Sequence, residues 1–173
     1  GTDFSGEYQD DMQVRVRVSD NFNNQSGNVE TSNFTLDTTN PIIANVAAIQ
    51  NFGSTDVVIT YDLADNNATD LLVELDISED GGSTWSVVDT SVTGDIGSSV
   101  SAGVNNTITW AADTDFDNEY QTDMRVRVRA RDIYGNQGSF VESGDFTVDT
   151  TNPEVSNLAV IQNIGNTEVV ITY

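Results

Sequence analysis

Met124-Arg125-Val126-Arg127-Val128-Arg129-Ala130-Arg131 alternates apolar and cationic side chains without a break. A period of two puts Met124, Val126, Val128 and Ala130 on one face of a β-strand and the four arginines on the other. The same pattern stands 112 residues earlier, as Met12-Gln13-Val14-Arg15-Val16-Arg17-Val18. Outward from these stretches the likeness continues without a gap. Residues 2–61 lie over residues 114–173 in one register, with more than half of the positions identical. Both prolines of the chain fall at matched places, in Asp37-Thr38-Thr39-Asn40-Pro41 and Asp149-Thr150-Thr151-Asn152-Pro153. Self-similarity at a fixed long period is the mark of a tandem array. The 173 residues then hold one complete repeat, 38–149, preceded by the C-terminal part of another (1–37) and followed by the N-terminal part of a third (150–173). A repeat of this length can enclose its own core. The two end pieces carry only a few strands each, and their apolar faces are expected to be completed by residues outside the chain or by neighbouring copies.

Within 38–149 the pattern predicts seven strands. An edge strand spans 42–49, and a half-buried one follows over 57–63. The third, 71–77, points Leu71, Val73, Leu75 and Ile77 one way and Glu74 and Asp76 the other. Gly81-Gly82 turns the chain into a fourth strand at 85–88. A Gly/Ser-rich crossing (91–103) leads to a fifth at 107–110, the arginine strand is the sixth, and 146–148 is the seventh. No stretch sustains a 3.6-residue apolar period, so essentially no helix is expected. Short strands separated by turn signals read as an all-β, antiparallel β-sandwich. Its expected core is Val57, Ile59, Tyr61, Val73, Leu75, Ile77, Trp85, Ile108, Trp110, Val126, Val128, Phe146 and Val148.

Asp123 to Ala130 resembles strand F of a fibronectin type III domain, with Met124 where that family usually carries a tyrosine. Arg131-Asp132-Ile133-Tyr134-Gly135-Asn136 and Phe146 to Pro153 resemble bacterial immunoglobulin-like repeats. Those often show an Asp-x-x-Gly-Asn turn before the last strand and an Asp-Thr-Thr-x-Pro hinge after it. The resemblance implies seven-stranded sandwiches stacked in large secreted adhesins, surface-layer or appendage proteins. The earlier copy reads Asp20-Asn21-Phe22-Asn23-Asn24, without the glycine, which leaves its turn open to a different form.

The formal net charge is −22, from 28 acids against six bases, all arginine. Such a surface repels phosphate backbones and anionic lipid, so neither nucleic acid nor a membrane is an expected partner. It suits divalent cations, or simple solubility in salt; both readings stand. The absence of cysteine excludes disulfides, zinc–thiolate sites and thiol catalysis. The absence of lysine excludes Lys–Asn cross-links. With no histidine, cysteine or lysine, and no carboxylate pair marked by its sequence context, no enzyme activity is expected.

Three motifs invite a functional reading. The alternating arginines face the outward Glu74 and Asp76 of the third strand, which predicts a cross-strand ion-pair ladder in preference to a basic binding stripe. Ser78-Glu79-Asp80-Gly81-Gly82-Ser83-Thr84-Trp85 matches the Asp-box of sialidase propellers, a hairpin-closing element rather than a catalytic one. Asp113 to Glu119 spaces carboxylates like a calcium loop. It has Asn118 and Met124 where an EF-hand needs glycine and glutamate, so it reads as an acidic loop. Four Asn-x-Ser/Thr matches, at Asn24, Asn33, Asn67 and Asn105, arise readily by chance in so polar a chain.

The metal candidate comes from topology. In a sandwich of this type the second–third and sixth–seventh loops lie where the chain enters. Asp37 of the hinge is therefore expected to meet Asp132 and Asn136, with Asp65 and Asp70 nearby, an all-oxygen set suited to Ca2+ at the inter-repeat junction. The competing reading is that Asp37 and Asp132 only cap turns. The sequence thus predicts a structural segment of a long extracellular or cell-surface fibre, adhesin stalk or filament. Its partners are neighbouring copies of the same repeat, and other chains if they assemble laterally. The alternative is a glycan-binding module of a secreted polysaccharide-active protein, using Tyr120, Tyr134 and Phe140.

Overall fold

The alternation of the arginine strand sets the frame of a computed structural model that describes residues 4–66 and 69–173. The preceding segment contributes β1 (Tyr8–Met12), β2 (Arg15–Val16), β3 (Val29–Glu30) and β4 (Phe34–Asp37). Then follow β5 (Ile42–Gln50), β6 (Asp56–Ala64), β7 (Leu71–Ser78), β8 (Val92–Gly94), β9 (Gly97–Val100) and β10 (Gly103–Ala111). A single helical turn, α1 (Ala112–Asp115), leads to β11 (Tyr120–Arg131), β12 (Val141–Glu142) and β13 (Phe146–Asp149). The chain closes with β14 (Ala159–Gln162) and β15 (Val169–Thr172). Every paired strand is antiparallel.

Between the hinges two sheets form. One runs β5-β6-β10-β8, and the other runs β12-β11-β7-β9 with β13 also on β11. The inward positions of both sheets make one apolar cluster. Every buried hydrophobic residue of that cluster lies between Ile43 and Val148, so this stretch encloses a core without help from either flank. Trp110 and Tyr61 are its largest members, both fully buried. Trp110 Nε1 donates to Asp115 Oδ2 at 3.0 Å, and Tyr61 Oη donates to the Asp95 carbonyl at 2.5 Å. Each such side chain contributes about 1.5–3 kcal/mol through burial, and the satisfied polar tips keep that gain.

Three local expectations change. Residues 85–88 form no strand, only a single bridge between Ile77 and Val87. Trp85 is half-buried on the outer face, beneath the Asp-box turn and stacked on the Arg127 guanidinium at 4.4 Å. The 91–103 crossing instead supplies β8 and β9, one on each sheet, so the chain changes layer there. Gly94 and Gly97 make the switch with φ of 98° and 77°. The last strand arrives as two pieces, β12 and β13, on β11. The stretch 42–149 is therefore drawn as nine strand segments rather than seven, plus the helical turn.

The outer ladder matches its expectation. Arg127 lies opposite Asp76 and Arg129 opposite Glu74, with N–O distances of 2.7 and 2.5 Å. Arg125 reaches Asp145 at 2.5 Å. The flanking pieces pair in the register of the complete stretch. Tyr8↔Asp37, Met12↔Phe34 and Arg15↔Glu30 repeat Tyr120↔Asp149, Met124↔Phe146 and Arg127↔Glu142. The pairs of β14 with β15 repeat those of β5 with β6 in the same way. The register is therefore set by each strand pair's own sequence. The Asn67-Ala68 part of the third glycosylation match lies outside the described residues.

Candidate metal centre

The hinge is built by its own threonines. Thr38 N donates to Glu7 O (2.9 Å) and Thr38 Oγ1 accepts from Glu7 N (2.9 Å), which carries the β1–β4 pairing one residue past β4. Thr150 repeats both bonds with Glu119, at 2.9 and 3.0 Å. Asp37 Oδ1 then accepts from Thr39 N (2.9 Å) and Thr39 Oγ1 (2.5 Å), a side-chain-closed turn that leads into Pro41. Asp149 does the same with Thr151, and those bonds, the side-chain one foremost, hold its carboxyl below the usual range. Pro41 is buried, and its carbonyl lies so close to Gly138 that any Cβ there would sit 2.3 Å from the oxygen. The entering chain is thus clamped onto the β11–β12 connection, and only glycine fits beneath it.

Asp132 follows β11 and closes the Asp-x-x-Gly-Asn turn. Its Oδ1 accepts from Tyr134 N (2.9 Å) and Asn136 N (2.8 Å), and its Oδ2 accepts from Asn136 Nδ2 (2.7 Å). The earlier copy builds the same turn despite lacking the glycine. Asn23 takes the left-handed conformation (φ 67°) in place of Gly135 (φ 92°), and Asp20 accepts the equivalent bonds from Phe22 and Asn24. Asparagine is the residue that enters this region most readily after glycine, which is why the turn survives the change.

These two turns meet the end of β6. Asp37, Asp65 and Asp132 each place one carboxylate oxygen within 4.8 Å of the others. Asp37 and Asp132 are only 6% and 5% exposed, and Asp65 is half-buried. With Oδ1 committed to Thr39, Asp37 Oδ2 is left buried and meets no hydrogen-bond donor among the described residues. Burying an uncompensated carboxylate oxygen costs several kcal/mol. With Asp65 and Asp132 beside it, Asp37 completes an all-oxygen group of the kind that hard cations take as ligands.

The other two expected ligands are placed differently. Asn136 turns its amide nitrogen inward, to Asp132 Oδ2 and to the Asp37 carbonyl at 3.1 Å, so it braces the hinge against the domain. Asp70 is exposed, with a left-handed φ of 60°, and stands outside the three-acid group. Sequence reasoning missed Thr39, whose two bonds select which oxygen of Asp37 stays free. The Asp-x-Thr spacing at 37–39 carries that signal.

The acidic stretch at 113–119 has a structural role. Asp115 accepts from Trp110 Nε1, Ser91 N, Ser91 Oγ and Thr90 Oγ1. The three aromatics expected to bind glycan do not form one platform. Tyr120 and Tyr134 bracket β11, up to about 45 Å apart along an extended chain. Phe140 is covered by the guanidinium groups of Arg127 and Arg129 at 4.1 and 4.3 Å. Compared with known protein families, curated proteins and solved structures, the chain matches none.

Proposed function

We propose that this chain is a length of extracellular or cell-surface stalk made of 112-residue, immunoglobulin-like β-sandwich repeats, and that calcium stiffens its junctions. The work of such a segment is extension. Each repeat adds roughly 30–45 Å if its strands run along the fibre. The single observation that carries the calcium reading is the buried, unpaired Oδ2 of Asp37, on a carboxylate grouped with those of Asp65 and Asp132. One acid comes from the hinge and two from loops of the domain that follows, so an ion held by all three ties the linker to that domain. A hinge of five polar residues with one proline would otherwise swivel, because proline restricts only itself and the residue before it. The dispersed aromatics give a glycan-binding role no comparable support.

Calorimetric titration of the chain with calcium tests this reading. Saturable binding is expected, and it should disappear when Asp37 and Asp132 are both changed to Asn. Absence of binding by the unaltered chain, or undiminished binding by the variant, would remove the cation from the account.

A further inference from the structure

The hinge carbonyl is addressed from two sides. In the complete stretch Asn136 Nδ2 donates to the Asp37 carbonyl at 3.1 Å, from the domain that follows the hinge. At the matched position Gln50 Nε2 donates to the Asp149 carbonyl at 2.9 Å, from the domain that precedes it, while Asp149 N donates to Gln50 Oε1 at 2.7 Å. Asp37 and Asp149 share the same turn bonds, and their partners recur as Gln50/Gln162 and Asn136/Asn24. A carbonyl oxygen has two lone pairs and can take both donors. Where two complete repeats meet, Gln50 of the first and Asn136 of the second therefore converge on one oxygen atom.

That convergence brings two exposed apolar turn tips together. Phe52, two residues after Gln50, is fully exposed, as is Ile164 at the matched position. Tyr134, two residues before Asn136, is half exposed beside the exposed Ile133, and its counterpart Phe22 is largely exposed. An open notch of about 410 Å³ lies between Phe52, Gly53 and Ser54 on one side and Asp149 and Thr151 on the other. We infer that the β5–β6 turn of one repeat, carrying Phe52, docks on the β11–β12 turn of the next, carrying Ile133 and Tyr134, with the hinge carbonyl bonded from both. The occupant of the notch is thus the following copy of this same fold. The contact sets the direction in which the next repeat leaves, and the three-acid site lies at the same junction. This inference rests on the tandem-repeat reading but not on calcium.

The test uses residues 38–149, which enclose their own core, as a single unit and as two units in series. In the two-unit protein, Phe52→Ser in the first unit and Tyr134→Ser in the second are each expected to lower the melting temperature. The pair together should cost no more than the larger single change, and the same substitutions in the single unit should leave it unmoved. The chain has no cysteine, so Phe52→Cys in the first unit and Tyr134→Cys in the second can be joined by a short bis-maleimide. That pair should react much faster than Phe52→Cys in the first unit with Ser54→Cys in the second. Equal effects in one and two units, or equal cross-linking rates, would overturn the docking. A single unit that fails to melt cooperatively would overturn the repeat reading, and the docking with it.

Discussion

Replacing Asp37 by Asn separates the two tasks of its carboxylate. Oδ1 closes the hinge turn by accepting from Thr39 N and Oγ1, and an asparagine oxygen keeps both bonds. Oδ2, buried and without a donor, becomes an amide nitrogen that can donate to Asp65 or Asp132. In the cation-free protein the change removes one charge from a cluster whose oxygens lie within 4.8 Å. Two unit charges at that distance repel by about 3 kcal/mol at an effective dielectric of 20. Three donors already relieve Asp132, and solvent screens the half-buried Asp65, so a net gain of about 1–2 kcal/mol is expected. For a domain of this size that raises Tm by roughly 5–10 °C in chelator. In calcium the order reverses. The unaltered chain gains about 2.7 kcal/mol at a hundredfold excess over Kd, and the variant gains little. Thermal unfolding followed by circular dichroism, in chelator and across a calcium series, should give melting curves that cross. If the variant is the less stable protein in chelator, Asp37 is only a turn cap and the reasoning from its second oxygen fails.

Asp115→Ala leaves the Trp110 N–H buried without an acceptor and frees three further donors, a loss of about 2–4 kcal/mol that urea unfolding can measure. Burial, the largest single influence, pushes the Asp115 carboxyl up, but its hydrogen bonds together outweigh it and hold the group below the usual range. Its stabilisation is therefore present above the unfolded pKa and is lost as pH falls through the folded one, an acid limb that the variant should lack. Burial pushes the Tyr61 hydroxyl up to about 12, so stability should decline as pH rises from about 10 towards that value. Alkaline melts of Tyr61→Phe should be flatter over the same range. Arg127→Lys gives up the planar group stacked between Trp85 and Phe140 beside Asp76, at a cost of about 1–2 kcal/mol in thermal unfolding.

What the sequence made legible follows from period and identity. Alternation at 57–63, 71–77 and 124–131 placed the buried faces, because one side of each sheet must leave water. Asp37 and Asp132 could be brought together from topology alone, since a sandwich fixes which loops share an end. Trp85 was misplaced because hydrophobicity says nothing of side. The Asp-box turn carries its ring to the outer face, where Arg127 supplies a partner. Residues 91–103 lack alternation, as their short strands cross between layers and pair mainly through backbone. Nor could composition give the orientation of Asn136, whose amide offers either an acceptor or a donor until its neighbours are known. One carboxylate, that of Asp132, and the Asp37 carbonyl settle it as the donor.

In the proposed stalk, an ion at Asp37, Asp65 and Asp132 holds successive repeats in line. Small-angle X-ray scattering from a protein of three consecutive repeats, recorded in calcium and again in chelator, reads that directly. An extended particle in calcium that shortens and becomes more heterogeneous in chelator is the expected result, and Asp132→Ala should give the chelator profile even with calcium present. Identical scattering in both conditions would contradict it, leaving proline and the contacts between repeats as the only source of stiffness.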